Sequence, residues 1–198
     1  MGSGNTAMAS LALSTIERVE RSWSRVGATT RRASVAAGLA VGGLAAALSV
    51  DWSVRVAFAI TGALLVAAAL VDLHEHRLPN TLVAAAFATS VIGAAATLDL
   101  VSLAASLGGT LVAGGAMLAV RLTRGVGMGD VKLAGAIGAS AGSLSLPAAP
   151  LAIAVAAIVA ATFGLATGRR RVPLGPALWV GWAVSAAALV AFEWGWPA

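Results

Sequence analysis

Cysteine is absent from this 198-residue chain, which excludes disulfides, thiolate zinc sites and a cysteine nucleophile. Charge is scarce too: only 11% of residues are charged, and Asp and Glu together number eight. The remainder is largely apolar, with 59% hydrophobic residues and a mean hydropathy of +0.92. These residues fall in blocks of about 20, the length a bilayer-spanning helix needs. The composition is that of an integral membrane protein. No stretch between the apolar runs is long enough for a separate soluble domain. The net charge of +5 is distributed in a way that points to a membrane face and not to nucleic acid.

In chain order, Met1 to Ser10 is small and polar and carries no evident chemistry. From Leu11 to Arg32, Ile16, Val19, Trp23 and Val26 recur at helical spacing between Arg18, Arg21 and Arg25, and Ser14 with Glu17 has the spacing of a capping box. The pattern predicts an amphipathic helix on an anionic membrane surface; an unstructured basic tail is the plainer alternative. Residues 1–32 are thus read as a basic N-terminal arm and 33–198 as a polytopic membrane domain. Seven spans are expected: Ala33 to Val50, Ser53 to Leu73, Thr81 to Leu98, Val101 to Arg121, Val131 to Leu146, Ala148 to Gly168 and Leu174 to Glu193. Their Ala and Gly content permits close helix packing in lipid. The first run is longer than the core of a signal peptide, so it is counted as a helix.

Orientation follows from the positive-inside rule. With a cytoplasmic N-terminus, Arg18, Arg21, Arg25, Arg31, Arg32, Arg77, Arg121, Arg124, Lys132, Arg169, Arg170 and Arg171 all fall at the inner face. Of the 13 Lys and Arg residues only Arg55, next to Asp51, is left outside. The triple arginine at 169–171 is then a positive-inside flank, and Trp194 and Trp196 anchor the outer interface.

Two acidic residues stand out against this background. Asp72 lies in VDLHEHRLPN, at the end of the second span, and Asp130 lies in GVGMGDVKL, at the start of the fifth. Two spans intervene, so the chain returns to the same face and both carboxylates lie at one depth. Two close carboxylates at an apolar boundary do not both ionise readily and share a proton. The ionised member draws a proton from water while the protonated one donates to a carbonyl oxygen, which carries an amide through a tetrahedral intermediate. Gly127 and Gly129 permit close approach of an extended substrate strand. Each aspartate also has a purely structural reading: Asp130 as the N-cap of the following helix, and Asp72 as an interfacial acid paired with Arg77. Ionisable residues at the rim of membrane spans are costly and usually functional, and the coincidence of two favours a site.

Other candidates are weaker. His74, Glu75 and His76 have no further His or Cys partner, so no metal is expected. GVGMGDVK lacks the GK[ST] ending and preceding strand of a phosphate loop, which sets nucleotide binding aside. Asp51, Asp99 and Glu193 fall at the opposite face as solvated ends.

VDLHEHRLPN, with Asp72 eight positions before Asn80, resembles the first aspartate motif of type IV prepilin peptidases. GMGDVKL resembles their second, the GxGD signature shared with presenilin-like intramembrane aspartic proteases. VPLGPALWVGW, Val172 to Trp182, is similar to the Pro-Phe-Gly-Pro stretch of the same family, with Leu174 in place of the aromatic. Three motifs in order, over roughly Ser53 to Glu193, are far more specific than GxGD alone.

The resemblance implies an all-α membrane peptidase: an extra N-terminal helix before a six-helix core. It would cleave the short basic leader of pilin-like precursors at the cytoplasmic face of the inner (plasma) membrane. Asp72 and Asp130 would be the catalytic pair, Gly127, Gly129 and Lys132 the active-site loop, and Pro79, Asn80, Pro173, Gly175 and Pro176 supporting motif residues. No cofactor, metal or nucleic-acid partner is expected; the partners would be prepilins and the lipid bilayer. Long members carry a cysteine-paired zinc domain associated with N-methylation. This cysteine-free chain looks like the short form found with tight-adherence or Flp pili and with archaeal preflagellin peptidases, so cleavage without methylation is expected. The competing reading is a proton- or cation-coupled transporter that uses the two aspartates as a relay. Against it, both acids sit at one face and not near the midplane, and no inverted repeat is apparent. A third possibility is a catalytically idle assembly factor.

Overall fold

The computed structural model describes residues 28–48, 50–75, 77–123, 126–168 and 172–195. Seven helices run through them: α1 (Ala28–Ala47), α2 (Trp52–Glu75), α3 (Asn80–Ala96), α4 (Leu100–Leu122), α5 (Met128–Leu144), α6 (Ala148–Thr167) and α7 (Leu174–Gly195). The predicted amphipathic helix before Ala28, Arg124, the arginines at 169–171 and Trp196 lie outside the described residues, as do the side chains of His74, Glu75, His76, Glu193 and Trp194. The chain divides into two units, Met1–Ala36 and Ala37–Ala198, and everything below concerns the second.

The helix boundaries have local causes. Asp51 caps α2, its Oδ1 accepting the Ser53 N–H at 2.9 Å, and Asp99 caps α4, accepting the Val101 and Ser102 N–H groups at 3.0 Å. The two acids expected to be solvated ends are exposed, and they also serve as N-caps that satisfy orphan donors. Pro79 precedes α3 and Pro147 precedes α6, positions where the missing N–H costs nothing. Gly168 ends α6 with φ +63°, a left-handed conformation that glycine adopts without strain.

Four segments are long and apolar enough to cross a membrane: Trp52–Leu73, Leu100–Leu122, Ala148–Thr167 and Leu174–Phe192; Asn80–Ala96 is apolar but shorter. The outward Leu107, Leu111 and Leu118 of α4, and Ile158 and Leu165 of α6, are exposed, which suits lipid and not water. The protein is thus multi-pass. α5 is not among these four segments, for a physical reason. It packs against α2, α3, α4, α6 and α7, and every residue from Leu133 to Gly142 is buried. A helix surrounded by protein needs small side chains more than lipid-soluble ones, and LAGAIGASAG supplies them.

Helices α4 and α5 approach each other backbone to backbone. A Cβ on Gly109 would run into the Gly138 carbonyl, one on Gly138 into the Gly109 carbonyl, and one on Gly142 into the Ala105 carbonyl. On the other side of α5 stands Trp182, fully buried. Its Nε1 donates to Ser140 Oγ at 3.1 Å, and its ring stacks on Phe58 at 4.2 Å between centroids. Trp182 therefore ties α7 to both α5 and α2. Between α2 and α3, the Thr61 and Ser90 hydroxyls lie 3.0 Å apart, and Ser90 also donates to the Ala86 carbonyl at 2.9 Å.

The α4–α5 contact generates a paired prediction. Gly138→Ala drives a methyl into backbone and is expected to destabilise the protein by about 1–3 kcal/mol or more. Gly115→Ala, where nothing lies within 4 Å of the added carbon, is expected to be neutral or to stabilise by up to about 1 kcal/mol through helix propensity. Thermal unfolding midpoints of the two variants in detergent check the ordering.

Candidate active site

Asp72 sits in the last turn of α2 and is 7% exposed. A carboxylate that buried requires a donor, and the donor comes from α7. The Gly175 N–H, in the first turn of that helix, donates to Asp72 Oδ2 at 2.9 Å across 103 positions of sequence. The first-turn N–H groups of a helix have no partner of their own, and the surrounding VPLGP directs which of them is used: Pro173 and Pro176 have no N–H to give. Gly175 must also be glycine. A Cβ there would lie 2.9 Å from Asp72 Oδ2 and 3.1 Å from Asp72 Cβ. Among the described residues Asp72 makes no ion pair with Arg77, so that structural reading is not realised.

Asp130 is the third residue of α5, not its N-cap; Gly127 holds the cap position with φ −76° and ψ 157°. Asp130 Oδ2 accepts the Gly127 N–H at 3.1 Å, one half of a capping box whose other half glycine cannot supply. Asp130 directly precedes the apolar run that starts at Val131, and it is partly buried. Burial pushes its carboxyl above the ordinary value, the Gly127 N–H opposes this, and the nearby Asp72 charge adds to it. The two carboxylates, 58 positions apart (130 − 72), are therefore close enough to sense each other.

The loops between these elements interlock. Lys132 Nζ donates to Asn80 Oδ1 at 3.2 Å, joining the second motif to the end of the first. Gly129 faces Leu78, whose Cβ would lie 3.3 Å from any added Cβ, so close approach rather than a positive φ explains this glycine. At Gly127 an added Cβ would stand 3.2 Å from Asp130 Oδ2. Pro79 holds the entry to α3 in an extended conformation, φ −68° and ψ 117°, and its carbonyl accepts the Val83 N–H at 3.2 Å. The end of α2 and the starts of α3, α5 and α7 thus meet at one end of the bundle.

Two apolar recesses open near this end. One, of about 450 Å³, lies between α3, α4 and α5 and includes Val131 and Lys132, the residues after Asp130. The other, of about 130 Å³, lies between α2, α6 and α7 and includes Leu73, Pro173 and Pro176. Among the described residues no group of three His, Asp or Glu residues is placed to hold a metal ion. Two carboxyl groups, one bound by a backbone N–H from α7 and one by its own N-terminal turn, can do acid–base work. Of the candidate residues, Asp72 is bonded to Gly175, Asp130 to Gly127 and Lys132 to Asn80. Sequence reading did not single out Leu78, or Ser140 as the partner of Trp182; neither belongs to a polar pattern, and each is defined only by its contact.

The charge relation can be measured directly. In ¹³C-aspartate NMR, Asp130 is expected to titrate above its ordinary value and to shift downward in Asp72→Asn, since one of the two raising influences is removed. An unshifted Asp130 would mean that the carboxylates do not interact.

Comparison with known proteins accords with this arrangement. The model of the type IV leader peptidase family matches residues 59–165, a segment that holds Asp72, Asn80, Asp130 and Lys132 but ends before Gly175. No curated protein and no solved structure gives a significant match. The matched segment is more than half of the 198 residues, and on that basis, with both aspartate motifs inside it, the chain belongs to the type IV leader peptidase family.

Proposed function

We propose that this protein is an aspartic endopeptidase that removes the leader from type IV prepilins, with Asp72 and Asp130 as the catalytic pair. The observation that carries the reading is the meeting of the three motifs at one end of the bundle: Asp72 held by the Gly175 N–H and Asp130 within reach of its charge. Asp130, whose charged form is disfavoured by burial, holds the proton. Asp72 accepts a proton from water as that water attacks the scissile carbonyl carbon, and Asp130 donates to the carbonyl oxygen. The tetrahedral intermediate then breaks its C–N bond as the nitrogen takes the proton from Asp72, and the hydroxyl proton returns to Asp130. Atoms and charges balance with water as the only co-reactant.

The finer assignments belong to the same proposal. The charge distribution along the sequence favours a cytoplasmic N-terminus, which puts the carboxylates at the cytoplasmic face of the plasma membrane. The absence of cysteine favours the short, Flp or tight-adherence type, with cleavage but no N-methylation. Gly127, Gly129 and Lys132 shape the active-site loop, and Pro79, Asn80, Pro173, Gly175 and Pro176 hold the two ends that meet there.

The test is co-expression with a prepilin encoded nearby, following the leader by intact mass. The wild type is expected to cut at one bond, and Asp72→Asn and Asp130→Asn each to lower the rate about 10²–10⁴-fold or beyond detection. Unchanged cleavage by either variant removes that residue from the pair. Gly175→Ala is expected to lower kcat about ten-fold or more at similar KM, because it displaces the carboxylate and not the substrate. The pH dependence has a definite sign. Protonated Asp130 is the active form, so the rate falls as pH rises through its elevated pKa, and Asp72→Glu leaves that basic limb in place if the proton belongs to Asp130.

A further inference from the structure

The two aspartates are carried by helices that pack against each other only slightly. α2, with Asp72, and α5, with Asp130, each pack more extensively on α7, so their relative placement is set largely through that helix. One side chain of α7 reaches both. Trp182 is fully buried, donates from Nε1 to Ser140 Oγ of α5 at 3.1 Å, and stacks on Phe58 of α2 with ring centroids 4.2 Å apart. The α2 backbone leaves room for it: a Cβ on Gly62 would stand 2.7 Å from the Trp182 ring. A leucine could occupy much of the same space, but it has no donor to fix a direction. Trp182 lies about 10 Å along α7 from Gly175, and Ser140 lies about 15 Å along α5 from Asp130, so both act at a distance from the carboxylates.

A helix held at one point can pivot about it. α7 is held at its start by the bond from the Gly175 N–H to Asp72, and a second fixed point further along defines its rotation and the depth of α5 beside it. We propose that Trp182 is a positioning residue for the carboxylate pair: its bond to Ser140 and its stack on Phe58 fix α5 and α7 against α2, and with them the separation at which Asp72 and Asp130 work. The inference rests on the proteolytic reading and adds a requirement deep in the bundle, away from the reacting atoms. The bond from Lys132 to Asn80 joins α5 to α3 and does not involve α7. Misplacing a reacting group by about 1 Å can cost on the order of 10²-fold in rate, so a tie that prevents such a shift bears on turnover even without touching substrate.

The experiment uses the full chain in nanodiscs with a full-length prepilin. Ser140→Ala removes one oxygen and leaves the packing in place; Trp182→Phe removes the donor and keeps an aromatic ring against Phe58. Each is expected to lower kcat about ten-fold with KM changed less than about two-fold. The double variant is expected to be no slower than the slower single one, because both substitutions remove the same bond. Ser90→Ala, which breaks a buried hydroxyl contact between α2 and α3, controls for stability: it is expected to lower the thermal midpoint by a similar amount and to keep kcat within about two-fold of wild type. In ¹³C-aspartate NMR, the Asp130 titration in Ser140→Ala is expected to move downward, toward its position in Asp72→Asn. The inference is overturned by a wild-type kcat in Ser140→Ala or Trp182→Phe, by single effects that multiply in the double variant, or by an equal kcat loss in Ser90→Ala. An Asp130 titration that stays at or rises above its wild-type position overturns it too. Absence of cleavage by the wild type defeats the proteolytic reading itself, and the Asp130 titration then decides the positioning role alone.

Discussion

A carboxylate buried at the end of an apolar helix is tolerable only if something donates to it, and most of this architecture follows from how Asp72 is satisfied. The donor is a backbone N–H at the start of a helix more than 100 positions later, so α7 must arrive at a defined depth and rotation beside α2. Trp182, two turns further along α7, stacks on Phe58 of α2 and bonds Ser140 of α5. The aromatic contact and the carboxylate contact therefore hold the same helices at two heights. A side-chain donor would have been free to swing with its rotamer; a backbone donor at a helix start moves only if the helix moves.

The same geometry makes the two aspartates unequal. Asp72 is buried and bound by a distant helix, whereas Asp130 is partly exposed and bound by its own N-terminal turn. Equal carboxylates would compete for one proton with no preference. Unequal surroundings break that symmetry, and at Asp130 burial and the Asp72 charge both raise the carboxyl above its ordinary value. The first turn of α5 can bear this residue because the rest of α5 is so small in section: the crossings at Gly109, Gly138 and Gly142 bring α4 close, and the exposed leucines of α4 face outward instead of filling the centre.

Much of this is written in the sequence, because the polar residues are few and each costs free energy in lipid. Asp72 and Asp130 stand out for that reason, and GxGD, LPN and PLGP mark the turns around them. The number of helices follows from the spacing of apolar runs. Helix ends were harder to place. Asp130 reads as a cap from sequence because it follows a glycine-rich turn, yet the helix begins two residues earlier, since Gly127 can hold the extended cap conformation and Asp130 can reach back to it. Asp51 and Asp99 read as solvated and are exposed, but their capping of α2 and α4 depends on N–H partners that polarity alone does not show. The pairing of Lys132 with Asn80, 52 positions away, has no local signature at all. Packing decides it, and packing depends on side chains such as Leu78 that carry no pattern of their own.

The third motif shows why contact matters more than match. The family model ends at residue 165, ten positions before Gly175 (175 − 165), so nothing in that match speaks for VPLGP. The geometry does. Two prolines remove neighbouring donors, one glycine removes a side chain that would strike the carboxylate, and the N–H of that glycine is the one that Asp72 accepts. Leu174, where the related stretch has an aromatic, fits this account: the position contributes packing against the core, and any large apolar residue can do that. The glycine and the donor it leaves exposed cannot be exchanged in the same way. The constraint on this segment is thus set by the carboxylate it serves and not by its own helix.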